Sequence, residues 1–449
     1  MTKWVLTFAC CALTTFSALA SDLGWKAGAA KVKITPDEPV WQSGYASRTH
    51  PAEGTRMDIW TKALALEDAK GCIGVFVTID ICSIIRDISD EVFRRVSAKH
   101  GFTRDQLIVN SSHTHTGPSF GAPRFYILKQ PTFTETDRAR IARYTVKLID
   151  CIVQAVDTAM ANRRPARVST GMGCVRFAVN RRHNKEGEVP GLSELKGPTD
   201  YSVPVLKVEN GNGGIDAILF GYSCHPTVLS DYLYSGDYPG FAQAELEKAH
   251  PGAVALFFQG TGADQNPLPR RKASLAEQYG KELAAAVEQV LSEPMDVRGP
   301  ELVTKYEEIP LALDEPMSLE EMKKLEENPK SKPYVVHWAR ETAAKIRRGE
   351  KLPREYMYPL QYWKVGDQRL FALGGEVGVG YAMLIKERFG LGTFVAGYCN
   401  DIKGYMPTPE MWEEGGYEVV ESYMAGGHPG PWKRDVTDCV INAVERIAK

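Results

Sequence analysis

The chain has 449 residues, with 54 basic against 56 acidic side chains and a formal net charge of −2, a balance that argues against a nucleic-acid binder or a strongly charged membrane patch. Hydrophobic residues at 43% and aromatic residues at 10% exclude a disordered chain and suffice for a packed core. The length exceeds that of a usual single core, so one large domain with insertions or two intimate domains is expected.

The first twenty residues differ from the rest. Lys3 gives a positive start, residues 4–16 form an apolar run, and Ser17-Ala18-Leu19-Ala20 ends in a small-x-small pattern. This predicts a signal peptide cleaved after Ala20 and a secreted or periplasmic product. The run is shorter than the ~20 residues a membrane span requires, and no later stretch is apolar enough to span, so the mature chain is expected to be soluble. Cys10 and Cys11 leave with the signal; Cys72, Cys82, Cys151, Cys174, Cys224, Cys399 and Cys439 stay. Seven is odd and none are spaced as CxxC, which argues against a dense disulfide framework or a cysteine-zinc site. Mostly buried free thiols are expected, with one or two bridges left open.

Along the mature chain, β-branched and aromatic runs predict strands at 74–80, 107–110, 217–223, 254–259, 370–373 and 393–396. Helical periodicity over 137–160 places Ile141, Tyr144, Leu148, Ile152 and Ala155 on one face, and 275–291, 381–389 and 435–448 read similarly. The alternation predicts an α/β class: a mixed sheet core flanked by helices. Residues 313–358, rich in Lys, Glu and Arg, read as exposed helices inserted on the surface, with no chemistry expected there. Polar clusters fall just after predicted strands: His113-Thr114-His115, Cys224-His225-Pro226, Asp264-Gln265-Asn266, Gly375-Glu376 and residues 400–405. In open α/β sheets ligands bind at the carboxyl ends of strands, so these loops are expected to meet in one cleft.

The strongest local signal is Ser112-His113-Thr114-His115-Thr116-Gly117-Pro118. Two histidines two residues apart in a turn stopped by Gly-Pro suit a metal ligand beside a substrate contact, and histidine is scarce here, with nine in the chain. By itself the pattern equally fits hydrogen-bonded loop histidines. Read alone, His225 would be a satisfied loop histidine, Glu376 a carboxylate opening a helix, and Tyr405 and Tyr417 ordinary packing.

The same segment resembles the Thr-His-Thr-His-Ser-Gly-Pro motif of the neutral, non-lysosomal ceramidases, and the resemblance recurs in order. Gly44-Tyr45-Ala46 with residues 55–64, Val77-Thr78-Ile79-Asp80, residues 220–237 with Cys224-His225-Pro226 and Ser235-Gly236-Asp237, Leu373-Gly374-Gly375-Glu376, and residues 400–405 followed by Tyr417 are similar to that family's blocks. The resemblance implies one zinc-hydrolase domain over 21–449, with His113, His225, Glu376 and Tyr405 holding one Zn2+ and Tyr405 the weakest of the four. It makes His115, Tyr417 and Arg181 the groups facing a scissile carbonyl. The implied reaction is hydrolysis of the amide of an N-acyl substrate, a ceramide-like lipid, by zinc-bound water. The alternatives are a soluble amide or ester such as an acylated amino sugar, or an inactive zinc-binding homologue.

Two departures qualify the resemblance. Where the family has Gly-Asp-Val-Ser-Pro-Asn, this chain reads Gly262-Ala263-Asp264-Gln265-Asn266-Pro267. Asn266 falls at the serine, and asparagine cannot form an acyl-enzyme. The chain also leaves no room for the family's C-terminal β-sandwich, which weakens the expectation of ceramide recognition at a membrane surface.

Overall fold

The computed structural model describes residues 24–122 and 125–449; the predicted signal peptide lies outside the described residues. Eight strands form the principal sheet: β1 (Trp25–Lys33), β2 (Trp60–Glu67), β3 (Ile73–Ile79), β4 (Leu107–Ser111), β5 (Arg164–Cys174), β6 (Ser202–Asn210), β7 (Ile215–Tyr222) and β8 (Val254–Gln259). Their order is β8-β7-β6-β5-β1-β2-β3-β4, with a two-residue strand, Asp296–Val297, added to β5. The end pairs β7–β8 and β3–β4 are parallel and the pairs between them antiparallel. The mixed sheet expected from the sequence is therefore present.

Strand alternation explains how both faces are covered, because successive side chains point to opposite sides. Val75, Val77 and Ile79 of β3, with Ala63 and Ala65 of β2, face the helices α1 (Arg86–His100) and α2 (Glu135–Ala161). Phe76, Leu64 and Leu66 face the other way, against Trp363, Leu370 and Phe394 of a second sheet. Helices α3 (Asp237–Ala249) and α4 (Ala273–Ser292) cover the β6–β8 half through Tyr238, Ala242, Leu283 and Val287. The second sheet has the order β9 (Leu302–Ala312), β10 (Glu355–Val365), β11 (Gln368–Leu373) and β12 (Phe394–Ala396). Its outer face carries α7 (Val379–Phe389) and α8 (Val436–Ile447), packed through Tyr381, Ile385, Val440 and Val444. The layers run helix, sheet, sheet, helix.

Two features of this scaffold position the site. The edge strands β4 and β8 stand at opposite ends of the strand order, yet their carboxyl ends meet. The fully buried Asn110 accepts from the Gln259 amide (2.9 Å) and donates to the Gln259 and Gly397 carbonyls (3.3 and 2.7 Å). The second feature is the inserted segment. It lies between paired strands, Ala312 opposite Glu355, and contains α5 (Leu319–Glu327) and α6 (Pro333–Arg347). It is not merely a surface appendage, because Met322, Val335 and Trp338 form a small core with Tyr423 and Met424. All seven described cysteines are free thiols: Cys82, Cys151, Cys224 and Cys399 are buried and Cys174 is exposed. Among the described residues no helix is long and apolar enough to cross a membrane.

Candidate metal centre and active-site cleft

The loop after β4 delivers the first histidine through an unusual backbone. His113 has φ 66°, a left-handed conformation rare for residues other than glycine. It is held there by its own amide, bonded to the Ile81 carbonyl (3.0 Å), and by its Nδ1–H, which donates to the Cys82 carbonyl (2.5 Å). The turn brings His115 back onto the same point, with its Nε2 3.1 Å from Nε2 of His113. The Tyr45 ring meets His115 edge-on at 4.7 Å between centroids. Gly44, at φ 105°, must be glycine, since a Cβ there would lie 2.5 Å from the His115 ring.

His225 follows β7, its amide bonded to the Gln265 carbonyl (3.0 Å) and its Nδ1–H to the Gly262 carbonyl (2.6 Å). Glu376 comes from the second sheet, in a two-residue strand whose parallel register sets Glu376 beside Tyr405. Glu376 Oε2 lies 3.2 Å from Nε2 of His113 and 3.5 Å from Nε2 of His225. Oε2 of Glu376 and Nε2 of His225 are buried and have no hydrogen-bond partner among the described residues. Buried polar atoms normally find partners. Nε2 of His113, Nε2 of His225 and Oε2 of Glu376 converge, the latter two without a partner, and both imidazoles have their Nδ1–H groups tied to carbonyls, an arrangement that matches the way proteins prepare ligands for a metal ion. The donor set of two nitrogens and a carboxylate suits zinc.

The electrostatics show how strongly the site favours a single positive charge. Burial pushes the His113 imidazole down, but the Glu376 carboxylate overrides this and holds it at about 10. Burial leaves His225 at about 4, and burial with the His113 charge takes His115 well below its ordinary value. Burial also opposes ionisation of Glu376, yet the His113 charge keeps its carboxyl well below the usual range.

Tyr405 is buried, and its hydroxyl accepts from Nη2 of Arg181 (3.2 Å), which also donates to Glu418 (2.8 Å). Its ring packs edge-on against Tyr417 at 5.5 Å, and Tyr417 is 38% exposed. Asn266 sits on a three-residue strand paired with Ala178–Asn180, its Oδ1 accepting from the Thr227 hydroxyl (3.3 Å). Arg181, Asn266 and Tyr417 line one cleft of about 650 Å³. The structure thus groups His113, His115, His225 and Glu376 tightly. Tyr405 stands beside Glu376, and the other three residues lie along the cleft leading away.

Sequence reasoning missed several participants. Tyr398, buried, packs its ring at a tilt against His113, 4.5 Å between ring centroids. Arg182 donates to Glu414 (2.9 Å) and to Glu418, completing a charge network with Arg181. Only the adjacency of Arg182 to Arg181 and of Glu418 to Tyr417 could have flagged them.

His113, His225 and Glu376 thus form a two-histidine, one-carboxylate group that could hold a metal ion, and the comparisons give the family of the chain. Residues 25–272 match the family described as neutral/alkaline non-lysosomal ceramidase, N-terminal, and the chain belongs to that family. It is 28% identical to the neutral ceramidase of Pseudomonas aeruginosa over 273 residues, 57% of this chain and 39% of the relative. It is 26% identical to neutral ceramidase A of Dictyostelium discoideum, over 56% of this chain and 37% of the relative. These matches span just under two fifths of those relatives' length. The fold is similar to the crystal structure of the Pseudomonas aeruginosa neutral ceramidase, with a TM-score of 0.73 at 21% identity over 95% of this chain and 74% of the other. A structure described as "Ceramidase complexed with C2" gives 0.71 at 20% identity, over 95% of this chain and 76% of the other.

Proposed function

We propose that this protein is a zinc-dependent amidohydrolase that cleaves the amide bond of an N-acyl compound, acting outside the cytoplasm after removal of its N-terminal segment. The convergence of His113 Nε2, His225 Nε2 and Glu376 Oε2 in a member of this family carries the reading. His113, His225 and Glu376 would hold the ion, with Tyr405 beside them as fourth and weakest ligand. When bound, zinc supplies a Lewis acid and brings a coordinated water's pKa to about 7. Ceramide, an N-acyl lipid, is the member of the substrate class to which the relatives' names point.

The chain's own residues then divide the work. Tyr417 and Arg181 flank the cluster as donors to the oxygen that gains charge when water adds to the carbonyl. Removing one such donor typically costs about 3 kcal/mol of transition-state stabilisation. His115, whose Nδ1 has no partner among the described residues, is placed to carry a proton from the attacking water to the departing nitrogen as the C–N bond breaks, giving a carboxylic acid and an amine. Asn266 offers no nucleophile, so no acyl-enzyme forms on it.

The test is amine release from short-chain and long-chain N-acyl substrates by the zinc-loaded and chelator-treated full chain. Activity that requires zinc supports the reading. Equal activity without metal, or none with one zinc bound, overturns it.

A further inference from the structure

We infer that the preferred substrate is compact, uncharged and rich in hydroxyls, with the chemistry of an N-acylated amino sugar and not of a long-chain lipid amide. This rests on the amide-hydrolase reading above and concerns which N-acyl compound the same site accepts.

The walls of the cleft lead to it. The about 650 Å³ space that opens from Arg181 and Tyr417 is lined by charged and amide side chains, and its one aliphatic lining residue among the described residues is Leu268. The charges are organised as pairs. Arg181 donates to Glu418 (2.8 Å), Arg182 to Glu414 (2.9 Å) and Arg270 to Glu186 (2.8 Å). Three guanidinium groups face three carboxylates, so no net charge is left over to select an anion or a cation.

A hydroxyl both donates and accepts, so it bonds a carboxylate edge and a guanidinium edge in turn. An alkyl chain does neither. Each methylene that fails to reach an apolar wall forgoes the gain of leaving water, and a chain lying against these pairs would strip their water without replacing it. The inserted segment extends this polarity past Tyr417. Nζ of Lys332 stands 5.5 Å from the centre of the Tyr417 ring and pairs with Glu421 (2.6 Å), to which the Tyr334 hydroxyl also donates. An ammonium group, paired with a carboxylate, thus borders the Tyr417 ring. Tyr417, 38% exposed and with Lys332 over its ring, lines the same cleft.

The experiment compares the zinc-loaded full chain on N-acetylhexosamines and their short oligomers with ceramides carrying two-carbon and sixteen-carbon acyl groups in mixed micelles, reading amine release. The expected kcat/KM for the best amino sugar exceeds that for long-chain ceramide by about tenfold or more. Equal or greater activity on long-chain ceramide overturns the inference and leaves the amide-hydrolase reading standing. Hydrolysis of neither class overturns both.

A second measurement uses the Glu186–Arg270 pair, which supplies no ligand to the metal cluster. The double variant Glu186→Leu/Arg270→Leu, checked for unchanged zinc content, should raise KM for the amino sugar by about tenfold while kcat stays within about twofold. An unchanged KM counts against the cleft as the sugar's binding surface.

Discussion

His113 accepts a left-handed backbone, which costs about 1–3 kcal/mol, in order to turn its Nε2 toward Glu376 while His115 returns to within 3.1 Å of it. Replacing either of the histidines proposed as ligands tests whether that strain serves metal binding. His113→Ala and His225→Ala should each reduce zinc from about one per chain to a small fraction, measured by metal analysis, while circular dichroism stays that of the parent. Full zinc retention in both variants would sink the metal centre. The tyrosines should separate by role. Tyr417→Phe should lower kcat and kcat/KM together by roughly tenfold to a thousandfold with zinc affinity unchanged, as expected for a group that acts only in the transition state. Tyr405→Phe should weaken zinc binding as well. A Tyr417→Phe enzyme as active as the parent would reduce the ring to packing against Tyr405.

Asn110 joins elements that the strand order keeps apart, tying the end of β4 to the end of β8 and to Gly397 after β12. Asn110→Leu removes this bridge and leaves the Gln259 amide and the Gly397 carbonyl buried without it; a loss of about 2–4 kcal/mol in denaturant unfolding is expected. A loss below about 0.5 kcal/mol would show that the edges hold each other by other means. How far such elements could be read from the sequence depended on their surroundings. The 254–259 and 107–110 runs were legible because parallel strands buried on both faces are continuously apolar. Strand β1 was not, since Lys26, Lys31 and Lys33 interrupt it, and β9 carries Lys305, Glu307 and Glu308 on half-buried positions. Residues 313–358 were expected to be exposed helices; helices occupy 319–327 and 333–347 while 355–358 belong to β10, and the contact of Lys332 with the Tyr417 ring depends on how the segment folds back. The His113–His115 pair was legible because histidine is scarce, with nine in the chain, whereas His225 and Glu376 were singled out as ligands only by the family resemblance. Arg182, Glu414 and Glu418 were not legible, because charged residues are common and only the fold joins positions more than 230 residues apart.

Over the whole molecule, burial of neutral groups sets a pH window for stability. Burial holds the His428 imidazole at about 3, below its ordinary 6.5. A depressed base favours the fold while it stays neutral, so its contribution is complete above about pH 6.5 and is lost as pH falls toward 3. The loss is about 1.4 kcal/mol per pH unit within that window. Denaturation midpoints at pH 7, 6, 5 and 4 should therefore fall less steeply for His428→Gln than for the parent. Parallel profiles would remove His428 from the acid response. The scattered origin of the metal cluster has a consequence in time. During synthesis at about 5–20 residues per second, Glu376 leaves the ribosome roughly 13 to 50 seconds after His113, and Tyr405 and Tyr417 later still. Until then the nascent chain carries imidazoles without their carboxylate.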